Sequence, residues 1–435
     1  MLRLLILPFA IMAMLGLSGC EKSDSSSSSA GNEGRMTLEL WHYFSNHQAR
    51  ALEDLLKKFE GEHPDIAVRA VYQGAPPQLK QKLDGSFASG TGTNPVISLV
   101  YESWVDDFLR HDYVEPVQNY FDGPEGLTQE EQDDFVKAFR EGNSWDGEMV
   151  TLPFNKSIYM LYLNMDLMRA AGVTTAPATQ QEFADAIRKA TVRQGRRTSS
   201  YGFGLMPKGE AFTTLLFARG GRLVNEQGQP TINSPEALEV LQLLKGLQYP
   251  EKNLYVNMDY MSVPFANRMI AMFLYSSASL PYNQSGSEGK FDYQAAAIPG
   301  VEGQAPRYLM QGTNIAIFAN KPQSEKDAAW KLIRFLTTPE NGAYFVTRSG
   351  YMPYRYSMLQ QPELVAYMEA HPDYALASRL VLSDQGIQEP KVRVWEGIRS
   401  EFDTLVDSLM SREDSDPAKL LEELQRKAEA KMKTP

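Results

Sequence analysis

The sequence predicts an α/β protein, and three observations predict it. Short β-prone apolar runs alternate with segments whose apolar residues recur at helical spacing, the pattern of a mostly parallel sheet with helices on both faces. The 435 residues are 43% hydrophobic, an ordinary composition at a length that suggests roughly two to three domains. No internal repeat of about 20 to 50 residues points to a solenoid or propeller instead.

The elements follow in order. Met36 to Tyr43 is apolar and β-prone, and Ala49, Leu52, Leu55, Leu56 and Phe59 then recur at helical spacing until His63-Pro64 stops them. Ile66 to Tyr72 reads as a second strand, Gln78 to Ala88 as a helix, and Val96 to Val100 as a third strand after the Gly90-Thr91-Gly92 loop. A second set begins with strands over Met149 to Phe154 and Tyr159 to Leu163 and an amphipathic helix over Gln180 to Gln194. It continues with a helix begun near Glu210 and closed by Gly220-Gly221, a helix over Pro235 to Gln248, and strands over Met269 to Tyr275 and Tyr293 to Ile298. From Ser324 the pattern is helical to the end, punctuated by Pro339, Pro353, Pro390 and Pro417. Pro417 suits a first helical position, with Leu420, Leu421 and Leu424 on one stripe of the helix over Pro417 to Lys431.

Charge and residue counts exclude several functions. The 43 Lys plus Arg stand against 54 Asp plus Glu, and the resulting net charge of -11 repels a phosphate backbone, so nucleic acid is not expected as a partner. One Cys makes neither an intramolecular disulfide nor a Cys-rich zinc site. The five His (His42, His47, His63, His111 and His371) show no ligand spacing. There is no G-x-S-x-G, H-E-x-x-H or P-loop, and Pro95 stands where Gly90-Thr91-Gly92 would need a third glycine to bind a dinucleotide. Neither a metal nor a cofactor is expected.

The single Cys sets the expected address. Arg3 precedes an apolar run from Leu4 to Leu17, shorter than the ~20 residues that span a bilayer, and Ser18-Gly19 lead into Cys20. Residues 1–19 are thus laid out as a signal peptide. Leu17-Ser18-Gly19-Cys20 resembles the bacterial lipobox, in which the Cys is lipidated and becomes the mature N-terminus. Residues 20–34, with consecutive serines from Ser25 to Ser29, bury nothing and read as a flexible tether. The expected location is the periplasm or cell surface, anchored to a membrane through lipidated Cys20.

Candidate contact residues sit at predicted strand ends. Glu102 directly follows the third strand, at the edge where open α/β sheets place ligands, and suits accepting hydrogen bonds from hydroxyls. Asp106-Asp107 read instead as a solvated helix face. Aromatic clusters occur at Trp41-His42-Tyr43-Phe44, at Tyr101 with Trp104, and at Tyr351 with Tyr354, each at a strand end or a Gly/Pro break. Such rings suit a polyol or sugar, although each one singly also suits a core. Ser276-Ser277-Ala278-Ser279, after an apolar strand, reads either as a ligand-facing loop or as an ordinary helix cap.

Lipobox, tether and two α/β sets together resemble a substrate-binding protein of a bacterial ABC importer. The closer resemblance is to the family 1 extracellular solute-binding proteins, and within them to the glycerol-3-phosphate-binding branch. It is carried by Leu40-Trp41-His42, Val71-Tyr72-Gln73-Gly74, Val100-Tyr101-Glu102, and Leu152-Pro153-Phe154-Asn155-Lys156-Ser157 with Leu161-Tyr162-Leu163-Asn164. The most specific block runs from Ala328-Ala329-Trp330-Lys331 through Thr338-Pro339-Glu340-Asn341 to Ser349-Gly350-Tyr351-Met352-Pro353.

The resemblance implies a two-lobe Venus-flytrap fold with three inter-lobe crossings, near Asn155 to Tyr159, Leu309 to Thr313 and Gly350 to Pro353. The N-lobe would comprise 35–154 plus 313–349, and the C-lobe 158–309 plus 353–435. The implied ligand contacts are Tyr72, Glu102, Ser157, Ser276, Ser277, Tyr351 and Arg393. The ligand would be glycerol 3-phosphate, a related glycerophosphodiester or a sugar, delivered by a monomer to the transmembrane subunits of an ABC permease. The stretch from Met206 to Phe217 departs from the branch, since it has no Trp pair and offers only Phe212 and Phe217. The phosphate-binding Arg of the branch falls near Lys391-Val392-Arg393. An oligosaccharide-binding protein of the same family is the alternative, and a lipid-anchored glycan hydrolase using Glu102 is a further one.

Overall fold

Strand β1 (Met36–His42) pairs in parallel with β2 (Ile66–Tyr72) on one side and with β3 (Ile97–Val100) on the other. Helix α1 (Asn46–Glu62) buries Ala51, Leu52, Leu55, Leu56 and Phe59, the stripe its spacing predicts, and ends at His63 before Pro64. Helix α2 (Pro76–Ala88) starts on two prolines, whose missing N–H groups cost nothing in a first turn, and α3 (Glu102–Arg110) follows β3 directly. The computed structural model describes residues 34–433 other than Arg196, Met258, Asp259, Arg393 and Val394. The signal peptide, Cys20, nearly all of the tether and Arg393 lie outside the described residues.

Two long strands organise the rest. Leu152–Asn164 is one strand buried along its whole length, where two shorter strands are expected from the polar Asn155-Lys156-Ser157 between the apolar runs. It pairs antiparallel with Tyr308–Phe318, which in turn pairs antiparallel with β3. At its other end it pairs antiparallel with Ile270–Ser276 and with Tyr293–Ala296. Beyond them, Arg197–Gly204 lies parallel to Ile270–Ser276 and to Leu254–Tyr255. The sheet is therefore mixed where a mostly parallel one is expected: mainly parallel within each strand set, antiparallel through the middle and at the Val192–Gln194 edge. A chain that leaves one set and later returns must supply strands of opposite direction.

The third passage between the sets touches the same point. Thr338 caps the helix Pro339–Ser349 by accepting from the Asn341 N–H at 3.3 Å, and Gly350 ends it at φ 79°, a left-handed conformation that a side chain resists. The chain then extends so that the Met352 N–H donates to the Lys156 carbonyl at 2.7 Å. Lys156 also faces Gly312 in the register of the two long strands. All three crossings thus converge on Lys156.

Two further departures are local. The helix expected over Gln180 to Gln194 stops at Ala190, and Val192–Gln194 folds back as an edge strand against Arg197–Gly204 across Gly195 at φ 63°. A capping box of Thr179 and Glu182 marks its start at the expected Gln180. From Ser324 the described residues are mostly helical, interrupted at 350–355, by a 3-10 turn at Tyr356–Gln360 and over 382–392, which includes a short strand at Gly386–Ile387.

Candidate functional site

The carboxyl ends of the parallel strands from both sets face one cleft of about 660 Å³. Tyr43 follows β1, Tyr101 follows β3, and Ser276 ends the strand Ile270–Ser276. Register carries the floor: Gln311 lies opposite Ser157, and Tyr159, two residues on and so on the same face, lies opposite Ser276. All four line the cleft, as does Tyr351 from the third crossing. Chambers of about 620 Å³ each continue it on two sides, one past Tyr282 and Asn283, the other past Trp104 and Lys80.

Tyrosine dominates the central lining, with Tyr43, Tyr101, Tyr159, Tyr260, Tyr275 and Tyr351. Burial, the main cause, raises the hydroxyl pKa of Tyr43, Tyr101, Tyr159 and Tyr351, and that of Tyr275 to about 12. These hydroxyls keep their protons and present neutral donors and acceptors beside an apolar ring face. Tyr43 is tied to the crossings: Asn155 Nδ2 donates to its Oη at 2.7 Å, and Thr313 Oγ1 donates to Asn155 Oδ1 at 2.5 Å. A ligand pressing on Tyr43 therefore presses on two of the three crossing segments.

Among the described residues, the charged side chains lining the central cleft are Glu210 and Arg399. Arg399 Nη2 donates to Glu210 Oε1 at 2.9 Å, and its Nη1 lies 3.7 Å from Glu389 Oε2. Gln311 Nε2 and Trp395 Nε1 donate to Glu389 at 3.2 and 3.3 Å and hold it in place. Among the described residues, no group of three or more His, Cys, Asp or Glu is placed to hold a metal, and no helix is long and apolar enough to cross a membrane.

The expected contact residues divide. Ser157, Ser276 and Tyr351 line the cleft. Ser277 is fully buried, and its Oγ accepts the Ile158 N–H at 3.1 Å, strapping the loop to the crossing strand instead of facing a ligand. Tyr72 stands 56% exposed as the last residue of β2, outside the cleft lining. Glu102 is buried, with Lys156 Nζ 2.7 Å from its Oε1, so an ion pair takes the carboxylate that is expected to receive ligand hydroxyls. Phe212 and Phe217 sit in the core, while Met206, Pro207 and Glu210 are what their stretch offers the cleft. Lys391 Nζ donates to the carbonyls of Glu141 and Ser144 and lies over the Trp145 ring, away from the lining. Among the described residues Arg399, one turn into the helix Trp395–Ser411, is the arginine that lines the cleft, and no motif in the sequence marks it.

A family model described as bacterial extracellular solute-binding protein matches residues 54–372. The chain belongs to that family. This solute-binding protein is 25% identical over 386 residues to the sn-glycerol-3-phosphate-binding periplasmic protein UgpB of Salmonella typhimurium, covering 85% of this chain and 86% of that one. Its fold matches UgpB from Mycobacterium tuberculosis, solved in complex with glycerophosphocholine, with a TM-score of 0.78 at 21% identity over 92% of this chain and 99% of that one. It matches the GacH receptor of Streptomyces glaucescens, solved unliganded and with acarbose, equally well: TM-score 0.78, 18% identity, and the same 92% and 99% coverage. The two-lobe architecture of these binding proteins is the fold of this family member.

Proposed function

We propose that this solute-binding protein captures a polyhydroxylated solute of the sugar class between its two lobes and hands it to the transmembrane subunits of an ABC importer. The observation that carries the reading is the cleft wall of neutral tyrosines with Ser157, Ser276 and Gln311 among them. Rings that stack on a sugar face and hydroxyls that exchange hydrogen bonds with its edge are what such a ligand needs. Tyr43, Tyr101, Ser157, Ser276 and Tyr351 are the proposed contacts. The lobes divide at the crossings, as 35–154 plus 313–349 and 158–309 plus 353–435, and binding energy selects the closed arrangement. The protein acts as a monomer, tethered through lipidated Cys20. The burial of Glu102 against Lys156 speaks against a hydrolase built on that carboxylate.

A second reading, glycerol 3-phosphate or a glycerophosphodiester, is favoured by Arg399 in the cleft and by the ligands named for the two UgpB proteins. Calorimetric titration of the purified protein against maltose, maltotriose, glycerophosphocholine and glycerol 3-phosphate separates them. Micromolar affinity, about 8 kcal/mol, for a neutral saccharide is the expected result. Saturable binding of a phosphate ester with silence from every saccharide would overturn it.

A further inference from the structure

Glu210 stands in the first turn of the helix Lys208–Ala218 and reaches the cleft beside Arg399. A single guanidinium is held there between two carboxylates, Glu210 at 2.9 Å and Glu389 at 3.7 Å. The adjoining chamber adds Lys80, whose Nζ is 2.5 Å from Asp84, and Asp403, which accepts the Gly209 N–H at 2.9 Å. The chamber on the other side contributes no charged side chain among the described residues. Summed over its length, the cleft's described side chains carry more carboxylates than cations.

A phosphate monoester brings close to two negative charges and needs charge-assisted donors of its own. Here one guanidinium nitrogen already donates to Glu210 and the charge is further offset by Glu389 at 3.7 Å, and an incoming phosphate would meet Glu210 as a like charge. A neutral hydroxyl meets no such opposition, and a carboxylate is a strong acceptor for it. We infer that Glu210 is a specificity-determining residue that occupies Arg399 and so turns the cleft against phosphate monoesters and toward uncharged hydroxylated ligands. This rests on the sugar-class reading above and names what enforces it.

The test compares the wild-type protein with E210Q, E210S and the double variant E210Q/R399Q, titrating glycerol 3-phosphate and, separately, maltotriose. E210Q and E210S are expected to bind glycerol 3-phosphate at least tenfold more tightly than the wild type. The gain should shrink with added salt and disappear in E210Q/R399Q. Equal or weaker binding by both single variants, each with a cooperative unfolding transition, would overturn the inference. So would a gain that survives loss of Arg399. The phosphate titration reads the filter and the maltotriose titration reads the ligand class, so failure of one is told from failure of the other.

Discussion

Lys156 Nζ lies 2.7 Å from Glu102 Oε1 at the point where the three crossings meet, with the lysine side chain wholly buried. The Gly312 carbonyl at 3.5 Å and the face of the Phe139 ring at 5.3 Å complete its surroundings. Burial pushes the Lys156 pKa down, and Glu102 is the main influence opposing it. The carboxylate that looks from sequence like a ligand group is paired with a buried lysine at the crossings.

Removing one partner of this pair strands the other in the interior. Glu102→Ala is expected to cost about 3–5 kcal/mol of stability, and Lys156→Met a similar amount. The double variant Glu102→Ala with Lys156→Met should cost clearly less than the sum of the two losses. Urea unfolding of the four proteins checks this; additive losses would show that the pair is not coupled.

Gly312 predicts a second outcome. Its φ of 109° is one that side chains rarely adopt, and a Cβ there would stand 1.9 Å from the Asn155 carbonyl oxygen. The contact is backbone on backbone, between the two long crossing strands, so no rotamer relieves it. Gly312→Ala is expected to destabilise the protein by about 3 kcal/mol or more, and to lower ligand affinity as well because the residue lines the cleft. A melting temperature and a binding constant both unchanged would show that the crossing is far more pliant than its geometry.

His42 sets a pH dependence. It is buried at the end of β1, and its Nδ1 accepts the Phe44 N–H at 3.2 Å, which requires that nitrogen to be unprotonated. Burial lowers its pKa to about 4. In the unfolded chain the same ring takes up its proton near pH ~6.5. Between these values the unfolded state binds more protons, so the stability contributed by His42 is present above about pH 6.5 and is lost as pH falls toward 4, up to about 3 kcal/mol in all. Denaturant midpoints at pH 7 and pH 5 should converge in His42→Gln relative to wild type. An identical pH slope in the two proteins would remove His42 from the account.

Much of the fold is legible because its signals are local. The α1 stripe, the Thr179 and Thr338 caps and the apolar run of Ile270–Ser276 each announce themselves within a few residues. What escapes is non-local. Nothing near Glu102 in sequence reveals that Lys156, 54 residues away, closes on it. Tyr159 reads only as the first residue of a strand until register sets it beside Ser276. Arg399 is an ordinary helix position until the packing of its helix against Lys208–Ala218 aims it at Glu210. The three expected contacts that line the cleft, Ser157, Ser276 and Tyr351, lie on the crossings or pair with them.

The placement of Tyr308–Phe318 between Leu152–Asn164 and β3 also governs how the protein is made. The first strands to leave the ribosome form a sheet whose β3 edge has no neighbour until some two hundred residues later, and α1 waits as long for the helix Pro339–Ser349 that packs on it. Such distant pairings are slow to form, and an unpaired edge invites association with other chains in the meantime. An amino-terminal fragment that ends before Tyr308 is therefore expected to expose the β3 edge and to associate. The first strand set is expected to reach its final packing only when residues near 350 are present, whichever side of a membrane that happens on.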